Sequence, residues 1–142
     1  MKFWFIKSED TQEIVAYNIE KTNLIKEIEL LCYQDSNLII GYDNKIIKEL
    51  NPIEIECFYT QNEKIYARTN NNDYLIKKRL YELNEMLKDS FIYINQGCLV
   101  NIKKIDHFDA SISGTLLIYL KSGFKDYVSR RQIKNIKERL GL

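Results

Sequence analysis

The sequence predicts a mainly β fold with short helices: an elongated antiparallel β domain preceded by a small α+β N-terminal segment. Three observations predict it. Short runs rich in Ile, Val, Tyr and Phe recur along most of the chain, parted by Asn-, Asp- and Gly-containing turns. After residue 50 only two stretches carry helical periodicity. The single proline, Pro52, follows Asn51, and Asn-Pro marks a turn and a boundary. It separates residues 1–50, with 6 Lys/Arg against 9 Asp/Glu (net −3), from residues 51–142, with 15 against 11 (net +4).

In residues 1–50, Lys2–Ile6 and Ile14–Tyr17 are strand-like in composition. Leu24, Ile25, Ile28, Leu31 and Cys32 fall on one face of a helix. Leu38–Tyr42 and Lys45–Leu50 flank Asp43-Asn44, a tight-turn pair, and predict a hairpin. The stripe Leu24, Ile28 and Leu31 needs a covering surface. Its own strands are one candidate; self-association into a homodimer is the other.

In residues 51–142, Ile53, Ile55 and Cys57 alternate with Glu54, Glu56 and Phe58, which predicts a strand with Glu54 and Glu56 toward water. Gln61-Asn62-Glu63 turns, Ile65–Thr69 returns, Asn70–Asp73 turns again and Tyr74–Ile76 follows. A helix over about Lys78–Lys88 buries Leu80, Leu83 and Leu87. Phe91–Ile94 and Leu99-Val100 are strands parted by Asn95-Gln96-Gly97. Ile102–Asp109 continues as strand, Ser111–Gly114 turns, Thr115–Leu120 returns, and Lys121-Ser122-Gly123 leads into Phe124–Val128. Ser129 is placed to cap a last helix with Ile133, Ile136 and Leu140 inward.

Composition narrows the function classes. Of 142 residues, 45% are hydrophobic, enough for a core, and no apolar run approaches the roughly 18–20 residues that span a bilayer. The start, Met1–Ile6 followed by Glu9 and Asp10, lacks the pattern of a signal peptide, so a cytoplasmic protein without membrane insertion is expected. Cys32, Cys57 and Cys98 lie far apart without C-x-x-C spacing, which predicts reduced thiols rather than a disulfide framework or a zinc site.

Chemistry-bearing patterns are sparse. His107 is the one histidine, and no motif places an acid–nucleophile pair near it. The five glycines are isolated, which excludes a Walker or Rossmann phosphate loop. No enzyme, metal, cofactor or small-molecule ligand is expected. Ten tyrosines and six phenylalanines raise an RNA-binding sheet as an alternative, since exposed rings stack on unpaired bases, although an RNP-like aromatic–basic run is missing. A non-catalytic protein-interaction module is the other alternative. Against both stands the charge at the C-terminus: residues 121–142 hold 7 basic against 2 acidic side chains, which suits phosphates.

Three stretches carry a family resemblance. The first is Ile53-Glu54-Ile55-Glu56-Cys57-Phe58-Tyr59 leading to Lys64-Ile65-Tyr66-Ala67-Arg68-Thr69. The second is Leu80–Leu87, then Phe91-Ile92-Tyr93-Ile94-Asn95-Gln96-Gly97-Cys98-Leu99-Val100-Asn101. The third is Gly114-Thr115-Leu116, Gly123 and Tyr127-Val128-Ser129-Arg130-Arg131. In this order and spacing they resemble the LytTR DNA-binding domain, over residues from about 36 to 142. The resemblance implies a transcription regulator whose loops and strand ends, rather than a recognition helix, enter successive major grooves of double-stranded DNA. Carried over by position, Asn62 and Lys64 meet the first groove, Asn95 and Gln96 fall in the central loop, and Arg130 and Arg131 at the last strand-to-helix junction. Lys134 and Lys137, on the outer face of the last helix, are expected to reach phosphates.

The sequence departs from the family where Tyr93, Asn95 and Gly97 stand in place of the usual Arg, His and Ser. Asn and Gln still suit adenine edges. Residues 1–50 are too short for the receiver domain of a response regulator. They resemble the extension of stand-alone LytTR regulators, often encoded beside a small membrane protein, which implies a functional link of that kind.

Overall fold

The computed structural model describes Phe3–Phe5, Ile14–Ala16, Asn23 and residues 38–142. The chain divides into two units, Met1–Asn37 and Leu38–Leu142. In the first, β1 (Phe3–Phe5) and β2 (Ile14–Ala16) pair antiparallel with Trp4 opposite Val15. The helix face expected at Leu24, Ile25, Ile28, Leu31 and Cys32 lies outside the described residues.

The second unit begins at Leu38, so the Asn51-Pro52 turn falls inside it. The reason is pairing. β3 (Ile39–Asp43) and β4 (Ile46–Leu50) form the expected hairpin, and β3 continues into a larger sheet through Gly41 opposite Ile76. Gly41 permits this approach: a Cβ there would lie 2.7 Å from the Tyr74 Cβ and 2.8 Å from the Leu50 Cδ1. Asn51 does turn the chain, its side chain accepting from the Ile53 N–H (3.1 Å) at the head of a 3-10 turn, Pro52–Glu54.

β5 (Ile55–Gln61), β6 (Lys64–Thr69) and β7 (Asp73–Ile76) follow, then α1 (Leu80–Leu87), β8 (Phe91–Asn95) and β9 (Cys98–Asn101). These strands complete a seven-stranded sheet in the order β4-β3-β7-β6-β5-β9-β8. A 3-10 turn at Ile102–Lys104 replaces the expected first residues of the next strand, and its Asn101 cap accepts from the Lys103 N–H. β10 (Ile105–Ile112), β11 (Thr115–Leu120) and β12 (Lys125–Val128) form a three-stranded antiparallel sheet, and α2 (Arg130–Leu140) ends the unit.

Two cores flank the larger sheet. On one face Ile39, Leu50, Ile55, Phe58, Ala67, Ile76, Phe91 and Leu99 pack with Leu80 and Leu83 of α1. On the other, Cys57, Ile92, Ile94, Cys98 and Val100 pack with Ile118, Leu120 and Val128 of the smaller sheet and Ile136 of α2. β5, β8 and β9 are therefore covered on both faces. This corrects the expectation that Glu56 faces water, since it is only 2% exposed and its Oε2 is unpartnered. It also corrects the simple alternation from Ile53 to Phe58. A register shift between Ile55 and Cys57 makes Glu56 an extra residue. Ile55 and Phe58, three apart, thereby reach one core, and Cys57 reaches the other. Ile53 stands exposed on the 3-10 turn. Cys57 and Cys98 are free, buried thiols, and the hydrogen bond to Cys57, together with burial, pushes the Cys98 thiol far up.

Candidate nucleic-acid interface

Three chain reversals lie side by side at one end of the second unit. The first joins β5 to β6. Asn62 and Glu63 both take left-handed backbone, φ 50° and 62°, and this two-residue reversal matches the twist of the strands it joins. Asn tolerates that conformation well. Lys64 opens β6 opposite Gln61, and Asn62, Glu63 and Lys64 are all exposed.

The second reversal, Gln96-Gly97, joins β8 to β9. It is fastened to the first by the Thr60 N–H, which donates to the Gly97 carbonyl at 2.9 Å. The third is the passage from β12 into α2. The Ser129 N–H donates to the Ile94 carbonyl at 2.8 Å, which ties this junction to the end of β8. Ser129 holds the N-cap position, but its hydroxyl makes no capping bond; Arg130 and Arg131 follow in the first turn, both exposed.

Asn95 holds the second and third reversals together. Its Nδ2 donates to Asp126 Oδ2 (3.0 Å) and to the Tyr127 carbonyl (2.9 Å), and its Oδ1 accepts from the Gly97 N–H (2.9 Å). It is 4% exposed. Asn95, expected in the central loop, thus has its amide engaged within the protein, beneath the Gln96-Gly97 reversal. Gln96, next to it, is exposed. A side chain at Gly97 would meet Thr60 only at ordinary contact distance, 3.6 Å, so the family's usual Ser would fit.

Asn62, Lys64, Gln96, Arg130 and Arg131 thus share one end of the unit with open side chains. Lys134 lies one turn further along α2, its side chain 87% exposed, with Nζ 3.9 Å from Glu138 Oε1. The sequence reading passed over two neighbours. Ile65 pairs with Ile76, so Lys77 is the next position outward beside Lys64; the run Lys77-Lys78-Arg79 was its signal. Lys77 Nζ sits 4.3 Å from the Tyr42 ring centre. Tyr127, half exposed, precedes the Val128-Ser129-Arg130-Arg131 stretch and has its carbonyl held by Asn95.

The base beneath this row is aromatic and polar. Tyr59 stacks on Tyr66 and tilts against Phe124 (5.9 Å), and the Arg68 guanidinium lies 5.3 Å from the Phe124 ring centre. Burial, and then the Asp73 carboxylate that accepts from its hydroxyl, push Tyr59 up to about 12. His107 is exposed, its Nδ1 2.6 Å from Asp106 Oδ2 and its ring stacked on Tyr119. Among the described residues no group of His, Cys, Asp and Glu could hold a metal ion. Nor is any described helix long and apolar enough to cross a membrane.

The profile of the LytTr DNA-binding domain matches residues 45–141, and the chain belongs to that family. It is 31% identical over 141 residues, 97% of this chain and 96% of the relative, to an uncharacterized HTH-type transcriptional regulator of Staphylococcus aureus strain MSSA476. A like-named protein of the bovine strain RF122 is 30% identical over the same coverage. Among solved structures, the LytTr DNA-binding domain of a putative methyl-accepting/DNA response regulator from Bacillus cereus matches with a TM-score of 0.69 at 19% identity, over 75% of this chain and 99% of that one. The relatives' names include "HTH-type"; among the described residues the helices α1 and α2 are separated by β8–β12.

Proposed function

We propose that this DNA-binding regulator reads a specific duplex sequence by laying its three reversals into successive major grooves. The supporting observation is that Thr60–Gly97, Ser129–Ile94 and the Asn95 bonds lock the three into one row, so their exposed side chains are presented together. Preorganised reversals lose little backbone freedom on binding, which favours base reading. In this reading the protein is non-catalytic and acts in the cytoplasm, where its target lies. The resemblance to stand-alone regulators supports an input from a small membrane protein.

The roles divide by position. Arg131, at the mouth of the third reversal, grips guanine O6 and N7 with two bonds, and Gln96 reads an adenine edge. Asn62, Lys64 and Arg130 orient the protein on the backbone. Lys134 adds phosphate attraction. Arg131→Ala then costs about 1–3 kcal/mol on the preferred site and flattens preference at one base pair. Lys134→Ala weakens all duplexes alike and lowers the salt slope by about one. Binding of both variants to a selected site and to a scrambled site checks this. Equal weakening of both duplexes by Arg131→Ala would make Arg131 a backbone clamp and move base reading to Lys64 and Gln96.

A further inference from the structure

We propose that Lys77, with Lys78 and Arg79 behind it, makes a fourth point of contact with DNA, on the phosphates that flank the first groove. The inference rests on the duplex reading above and lengthens its footprint. Strand order sets the place. The third reversal is tied to β8, the second joins β8 to β9, and the first joins β5 to β6; β7 is the next strand outward. Neighbouring strands lie about 4.8 Å apart, so the end of β7 falls roughly 10 Å beyond the end of β5. Lys77 follows that end directly.

Charge selects the partner. Ile65 pairs with Ile76, so Lys64 and Lys77 stand opposite one another at the end of the ladder. Alternation puts both on the face of Tyr66 and Leu75, and Tyr42 pairs with Leu75 there. The Lys77 ammonium lies over the Tyr42 ring, 4.3 Å from its centre, and the ring holds it on that face. Like charges directly opposite weaken a sheet. Lys64, Lys77 and Arg79 are exposed, and Lys78 is half-buried. Among the described residues none of the four has a carboxylate within ion-pair distance. Glu82 of α1 accepts from the Arg79 N–H at 2.8 Å, and Glu63 of the neighbouring reversal is one acid against four cations. A cluster of this sign beside a reversal suits a polyanion, and the polyanion this family binds is DNA.

Phosphate contacts position a protein on the duplex and carry no sequence information. The fourth contact therefore fixes the outer end of the row and leaves base preference to the reversals.

Salt titration of the full chain, on a site selected from random duplexes and on a scrambled one, tests this. Lys77→Gln should lower the log–log salt slope by about one on both duplexes. Lys77→Arg keeps the charge and should retain the wild-type slope. So should Lys45→Gln, an exposed cation in the β3–β4 turn at the opposite end of the strands. With the selected duplex shortened from one end and then from the other, the Lys77→Gln loss should vanish on one of the two, where the flanking phosphates are gone. Circular dichroism confirms that each variant is folded. An unchanged slope in Lys77→Gln overturns the proposal. So does a loss that Lys77→Arg or Lys45→Gln shares, or one that persists on both shortened duplexes. Each of these outcomes leaves the three reversals as base readers. A wild type that selects no duplex sequence overturns that reading, and the fourth contact with it.

Discussion

Asn95 shows how a single buried side chain can shape the surface above it. It fills three hydrogen bonds below the Gln96-Gly97 reversal and ties that reversal to Asp126 and Tyr127. Asn95→Ala would leave the Gly97 N–H and the Asp126 and Tyr127 acceptors short of partners in a part-buried place, a loss of about 1–3 kcal/mol of stability. Because the second and third reversals lose their tie, affinity for every duplex should fall together, with base preference broadened rather than lost at one position. Chemical denaturation and duplex titration of the variant measure both effects. A variant as stable as wild type but unable to bind would return Asn95 to direct contact with DNA. The sequence made Asn95 conspicuous by its place in the family pattern, but a polar residue beside Gln96 carries no mark of burial. That mark comes only from β12, more than thirty residues away. Arg130 and Arg131 were easier to place, because a cluster of cations just after a cap position has few ways to be buried.

At the scale of elements, strand and helix types were legible from period and turn chemistry. The hairpin of β3 and β4, the turn at Asn62-Glu63 and the helices α1 and α2 stand close to where patterning puts them. What patterning could not show was how many faces of each strand are covered. β5 reads as half-buried, yet neighbours in two different cores enclose it, and the bulge at Glu56 breaks the alternation that a period-two reading assumes. Tyr59 makes the coupling of these strands measurable. It lies on β5 and donates across β6 to Asp73 on β7. With its pKa raised from 10.0 to about 12, the folded state keeps the phenol proton that the unfolded chain gives up. That contribution to stability is full below pH 10 and disappears as pH climbs through about 12, so unfolding free energy should fall across this window. Tyr59→Phe should flatten the fall. Burial raises Tyr93 as well, so a residual slope will remain. Urea midpoints from pH 9 upward, compared between wild type and variant, provide the check; parallel curves would mean that Tyr59 is not the group responsible.

At the scale of the whole molecule, the charge asymmetry at Pro52 is real but does not mark a structural border. The acidic first third contributes β3 and β4 to the second unit, because sheet pairing and not charge decides which segments fold together. The net charge of +1 conceals the basic C-terminal stretch, and the fold then brings cations from three separate segments, Lys64, Lys77 and Arg130-Arg131, to one end. That convergence could not be read from local sequence, since it depends on the Thr60–Gly97 and Ser129–Ile94 bonds; the family resemblance supplied it for Lys64 and Arg130-Arg131, while Lys77 went unmarked. The central claim is that this convergence reads duplex sequence. Its most direct test is selection of bound sequences from a library of random duplexes, with the full chain at moderate salt. The account predicts an enriched site with patches of preference about one helical turn, 10–10.5 base pairs, apart. Binding to that site should weaken with salt at a log–log slope of about 0.9 per phosphate neutralised. A library that yields no enriched sequence, or a preference for single strands over duplexes, would contradict it.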